Sequence, residues 1–164
     1  MALIKRYDFS ALSAMCVDDS EFFLDVFTDI LGAFGVKRVT TAVSAEAALE
    51  KLEQANPDIV FIDWEMAHDT CEDFLRAVRQ NPKHPFRTIP IILVTGYTEI
   101  KRIHLARDLG INEFIVKPIS AKNLHSRLVK LIENPRKFYM SRTYFGPDRR
   151  RRQVELDFKD RRSR

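Results

Sequence analysis

Five polar residues carry the chemistry this sequence could do: Asp18, Asp19, Asp63, Thr95 and Lys117. Each sits where a short apolar run ends: residues 12–17 before the paired aspartates, 59–62 before Asp63, 90–94 before Thr95 and 113–116 before Lys117. A single aspartate after a strand is ordinary turn chemistry. Four strand ends carrying complementary groups ask for more. Gathered at one edge, they would place three carboxylates, a hydroxyl and an ammonium together. Like-charged carboxylates repel, so that arrangement persists if a cation binds there. An all-oxygen ligand set favours a hard ion, Mg²⁺ in practice, which keeps waters and co-binds phosphate oxygens. Thr95 and Lys117 suit the oxygens of an anion beside the metal. An aspartate nucleophile belongs to phosphoryl transfer.

For these groups to meet, the runs that carry them must be neighbouring parallel strands, and the sequence alternates accordingly. Residues 12–17 read as a first strand. Residues 21–34 place apolar side chains at 23, 26, 27, 30, 31 and 34, one helix face, with Gly35 as the stop. A second strand spans 36–42, and Ser44 caps a helix to Gln54 that Asn56-Pro57 breaks. Residues 59–62, apolar without alternation, read as a strand buried on both faces and ending at Asp63. Thr70 caps a third helix to Gln80, with Asp73 in its first turn. A loop over 81–90 leads to the fourth strand. Thr98 then caps a helix to Leu109, and Gly110 stops it. The fifth strand is 113–116. Ser120 caps a last helix, with Leu124, Leu128, Leu131 and Ile132 on one face, and Asn134-Pro135 closes it. Five βα units in strict alternation imply an α/β fold: a flavodoxin-like, doubly wound sheet of five parallel strands in the order 2-1-3-4-5, with five helices. In that order the four polar strand ends share the carboxyl edge, where open α/β sheets bind ligands.

Composition sets the bounds. Of 164 residues, 45% are hydrophobic, ample for a core. Cys16 and Cys71 lie far apart with no CxxC, so nothing suggests a disulfide framework or a zinc site, and a reducing, cytoplasmic setting is the default. The N-terminus has no apolar signal region, and no apolar run approaches the ~20 residues that span a bilayer. His68, His84, His104 and His125 lack ligand spacing and are assigned no catalysis. Charge is uneven. Residues 135–164 hold 11 Lys/Arg against 4 Asp/Glu, a net +7 that leaves −3 for the remainder of the total +4. The expected organisation is a lead-in over 1–11, a domain over 12–134 and a basic, flexible tail over 135–164.

Asp18-Asp19, then Asp63, Thr95 and Lys117-Pro118, in this order and spacing, resemble the bacterial response-regulator receiver domain, of the stand-alone, chemotaxis-regulator-like type, over roughly 12–133. The resemblance implies roles. Asp63 would be the phosphoacceptor. Asp18, Asp19 and the backbone carbonyl of Glu65 would join it in holding Mg²⁺. Thr95 would be the switch hydroxyl, Lys117 the phosphoryl-contacting lysine, and Phe114 the rotating aromatic switch, which also reads simply as core. Lys117-Pro118 is typically cis in the family. The donor would be a sensor histidine kinase or a histidine phosphotransfer protein, and the output a downstream protein on the surface of residues 98–132. Such a domain is a signalling switch with self-catalysed phosphorylation and dephosphorylation rather than an enzyme on an external substrate. The sequence also departs from the family pattern. Ala67 stands where a Pro is usual, Cys71 where a Gly is, and Gly96 where Ala is commoner. Glu65 and Tyr97 occupy positions that tune dephosphorylation.

The tail interleaves Tyr139, Tyr144, Phe145 and Phe158 with basic residues and has no helical or strand period. Arg149, Arg150, Arg151 and Arg152 form an unbroken run, read first as a solvated charge block. Its alternatives are docking to a partner or a second subunit, and phosphorylation-gated binding of nucleic acid. No DNA-binding helix pair or RNA-binding motif accompanies it. An aspartate-nucleophile phosphohydrolase is a further alternative. It would want a second Asp two residues after the nucleophile, where Glu65 stands, and a cap domain for which there is no room.

Overall fold

The computed structural model describes residues 7–67, 70–96 and 99–149. The elements are β1 (Ser13–Val17), α1 (Glu21–Ala33), β2 (Arg38–Ala42), α2 (Ala45–Ala55), β3 (Ile59–Asp63), α3 (Cys71–Gln80), β4 (Ile91–Thr95), α4 (Ile100–Asp108), β5 (Glu113–Val116), α5 (Ala121–Glu133), β6 (Phe138–Met140) and β7 (Phe145–Pro147). The five central strands pair in parallel in the order β2-β1-β3-β4-β5. This is the flavodoxin-like arrangement the alternation predicts.

Strand periodicity divides the core in two. Along β3, Val60 and Ile62 face α2, α3 and α4 with Phe74, Leu75 and Val78. Ile59 and Phe61 face α1 and α5 with Phe27, Leu31, Leu124 and Leu128. Phe9, from the lead-in, is buried in this second core. Each fully buried large side chain contributes about 1.5–3 kcal/mol. Both cysteines are buried and unpaired.

The predicted caps Ser44 and Ser120 each accept a bond from the third backbone N–H of α2 and α5, and Ser20, which the sequence reading does not single out, does the same for α1. Thr70 and Asp73 close a reciprocal capping box on α3. The exception is α4. The residue preceding it is Glu99, which makes no side-chain cap bond; the expected cap, Thr98, lies outside the described residues. Gly35 and Gly110 hold φ of +91° and +97°, the left-handed turns that end α1 and α4.

The segment after α5 corrects the sequence reading, which expects no strand there. β6 and β7 form an antiparallel hairpin. It docks beneath the amino ends of β4 and β5 on two arginines. The guanidinium of Arg79 lies 5.0 Å from the Phe138 ring centroid, and that of Arg87 3.5 Å from the Phe145 ring. Arg79 is fully buried and donates to the carbonyls of Gly110, Arg87 and Ile89 at 2.6–3.0 Å and to Asn112 Oδ1 at 3.4 Å. Three-residue strands give little periodicity to read, and the contacts that hold them come from α3 and the loop before β4. Arg149 also ends in a defined place, 3.0 Å from Asp108 and with its guanidinium 3.8 Å from the Tyr144 ring centroid. Arg150, Arg151 and Arg152 lie outside the described residues.

Candidate functional site

The carboxyl edge of the sheet collects the polar strand ends. β1 pairs with β3, β3 with β4 and β4 with β5, so Asp18, Asp63, Thr95 and Lys117 leave four adjacent strands. One carboxylate oxygen from each of Asp18, Asp19 and Asp63 falls within 4.8 Å of the others. Asp18 and Asp63 are buried, while Asp19 is exposed. Local bonds aim them. Asp18 Oδ1 accepts from the Ser20 backbone N–H at 2.9 Å, and Asp19 Oδ2 from the Ala67 N–H at 2.8 Å. The second bond ties the loop after β3 to the paired aspartates. Ala67 lends only its N–H there, which a Pro would lack.

Lys117 closes the group. Its Nζ lies 2.7 Å from Asp18 Oδ2 and 3.3 Å from Asp63 Oδ2. Its backbone N–H donates to the Thr95 carbonyl at 2.8 Å, and the Lys117-Pro118 bond is cis. The ammonium also sits 3.9 Å from the centroid of the Phe23 ring. The sequence places Phe23 only on the core face of α1; no residue pattern marks an aromatic ring as a lysine's partner.

Asp63 is under opposing electrostatic pressures. Burial pushes its carboxyl up to about 6, Lys117 pulls it down, and Asp18 raises it further. Its Oδ1 is buried with no hydrogen-bond partner among the described residues. A buried anionic oxygen without a partner is costly. Among the described residues, three converging carboxylates, one of them with an unpartnered oxygen, and one ammonium fit a hard divalent cation held by oxygen ligands.

Around this group, Thr95 is buried at the end of β4. Glu65 is exposed, and its carboxylate pairs with Arg102 of α4 at 3.3 Å; Arg102 also reaches Glu99 at 3.4 Å. Phe114 is half-buried against the α2–α3–α4 core, with the Arg127 guanidinium 5.8 Å from its ring centroid. Tyr97 lies outside the described residues. Arg149 is far from this edge, at the hairpin.

The family described as the response regulator receiver domain matches residues 14–129. The chemotaxis protein CheY of Pseudomonas aeruginosa is 29% identical over 122 residues, covering 74% of this chain and 97% of that protein. The solved chemotaxis response regulator CheY4 of Vibrio cholerae superposes with a TM-score of 0.66 at 26% identity, covering 73% of this chain and 98% of its own. The CAI-1 autoinducer sensor kinase/phosphatase CqsS of Vibrio cholerae is 35% identical over 104 residues, 63% of this chain but 15% of that protein.

Proposed function

This chain belongs to the response regulator receiver family of two-component systems, and from that membership we propose that Asp63 accepts a phosphoryl group from a phosphohistidine. The reading is carried by the Asp63 carboxylate. It is buried at a strand end, with one oxygen on Lys117, the other with no hydrogen-bond partner among the described residues, and two further carboxylates beside it. An Asp63 oxygen attacks phosphorus, the P–N bond of the donor breaks, imidazole leaves, and an acyl phosphate forms on Asp63. Water later hydrolyses it and restores the carboxylate. Asp18, Asp19, Asp63 and the Glu65 carbonyl would hold Mg²⁺. That ion supplies charge neutralisation for the carboxylates and the incoming phosphoryl oxygens. Lys117 follows a phosphoryl oxygen as the charge moves onto Asp63, and Thr95 offers its hydroxyl to another.

The donor is a sensor histidine kinase or a histidine phosphotransfer protein. Output is a change in protein contact at the surface of α4, β5 and α5; α4 and α5 carry the exposed apolar side chains Ile100, Leu105 and Ile132, and Phe114 lies on the edge strand. A ligand-biased two-state element is the physics required, here biased by the phosphoryl group. The protein is therefore a switch and not a turnover enzyme on an external substrate. Among the described residues no helix is long and apolar enough to cross a membrane.

The test uses acetyl phosphate as a small phosphodonor, with emission of Trp64, the neighbour of Asp63, followed on adding Mg²⁺ and then donor. Two successive changes, both abolished by chelator, are expected. A donor response that persists in chelator contradicts the metal-assisted acceptor.

A further inference from the structure

Resting on that reading, we propose that Phe23 is a positioning residue for phosphoryl transfer: its ring face fixes the Lys117 ammonium while the carboxylates that also bind this ammonium change partners. The 3.9 Å separation of Nζ from the ring centroid is well inside the ~6 Å reach of a cation–π contact. Among the described residues Lys117 Nζ has three partners: Asp18, Asp63 and this ring. The two carboxylates are also those assigned to the metal and to the nucleophile, so each is shared or consumed in the reaction. The ring is neither. A lysine is a point charge on a flexible four-carbon stem, and a single constant contact decides where that charge waits.

The ring itself is held firmly. The Phe23 backbone N–H donates to the Ser20 capping hydroxyl at 3.3 Å, which fixes the first turn of α1 beside the paired aspartates. Phe23 packs on Phe27 with ring centroids 5.9 Å apart, and Phe27 on Phe61 at 4.9 Å. Phe27 and Phe61 are fully buried. Phe61 precedes Asp63 by two residues on β3, so the column of three rings runs from the acceptor's own strand to the lysine's ammonium. Any apolar side chain of similar size would fill the space; only an aromatic face attracts the charge.

The experiment compares wild type, Phe23→Leu and Phe23→Tyr, all as full chains. NMR of the lysine ε-methylene protons reads the contact directly. In wild type and Phe23→Tyr the Lys117 signal is shifted upfield by the ring, and in Phe23→Leu it returns to the position of a solvated lysine. Phosphorylation by acetyl phosphate at saturating Mg²⁺ then slows about three- to tenfold in Phe23→Leu and stays within about twofold in Phe23→Tyr, with Mg²⁺ affinity unchanged in both. Wild-type rates in Phe23→Leu, equal slowing in the two variants, slowing that tracks loss of folded protein, or no upfield shift in wild type would each overturn the proposal. Failure of wild type itself to take up phosphoryl would overturn the acceptor reading instead, and the NMR shift would still decide whether Phe23 holds Lys117.

Discussion

Asp63 concentrates the chemistry because it combines burial, a neighbouring carboxylate and a single ammonium. Its carboxyl stands near 6 rather than the ordinary 3.8, chiefly through burial. The folded protein therefore keeps a proton that the unfolded chain releases between those values. Stability contributed by this group is full at low pH and is lost as pH rises through that window. In chelator-treated protein, wild type is expected to lose on the order of 1–3 kcal/mol between pH 4 and 7 relative to Asp63→Asn, which has no group to ionise. Urea unfolding of both proteins at the two pH values checks this, and parallel pH dependences would contradict a buried, pressed carboxylate. Lys117 shapes the same balance. Lys117→Met removes the only ammonium paired with Asp18 and Asp63 among the described residues. It is expected to slow phosphorylation by acetyl phosphate at least about tenfold, the loss of one strong charge-assisted contact at the developing charge. An unchanged rate would take Lys117 out of the reaction.

At the scale of elements, the hairpin is the part of the structure that packs most unexpectedly. A Cβ placed on Gly110 would meet the Phe145 carbonyl at 3.1 Å and the Arg79 side chain at 3.3 Å, at a φ of +97° that L residues avoid. Gly110→Ala is expected to cost about 1–3 kcal/mol, measured as a shift of the urea midpoint with unchanged slope; a neutral substitution would mean that the hairpin does not dock as described. The five βα units were legible because each repeats its signal: an apolar run, a polar strand end, a cap and an amphipathic helix face. Ser44, Thr70 and Ser120 mark helix starts through local bonds that the sequence alone specifies. The hairpin was not legible because β6 and β7 are three residues each and are held by Arg79 and Arg87, more than fifty residues earlier in the chain. Arg79 reads as one more polar residue near the end of α3, yet it is buried among carbonyl oxygens. The site divides the same way. Asp18, Asp19, Asp63, Thr95 and Lys117 could be read from strand ends, whereas the face of Phe23 toward Lys117 depends on where α1 lies over the sheet.

Across the whole molecule, two ends of one sheet have separate tasks. The carboxyl edge holds the acidic cluster and Lys117, while the hairpin closes the amino edge of β4 and β5 through Arg79, Arg87 and Gly110. Glu113, buried at the start of β5, is bound by Arg127 and Lys130 of α5 and by Arg136 just before β6, and so ties the hairpin to the last βα unit. Phe145→Ala, which removes the ring beneath Arg87, should therefore lower the unfolding midpoint by about 1–3 kcal/mol equivalent while leaving the rate of phosphorylation by acetyl phosphate within about twofold. A rate that falls with stability would show that the two edges are coupled. Asp63 is proposed to carry the chain's single phosphoryl group. The most direct measurement treats wild type and Asp63→Asn with Mg²⁺ and acetyl phosphate, reduces any acyl phosphate with borohydride to homoserine, and locates that residue by peptide mass spectrometry. One homoserine at position 63 in wild type and none in Asp63→Asn is the expected result; homoserine at Asp18 or Asp19, or none in Mg²⁺-bound wild type, would rule out Asp63 as the acceptor.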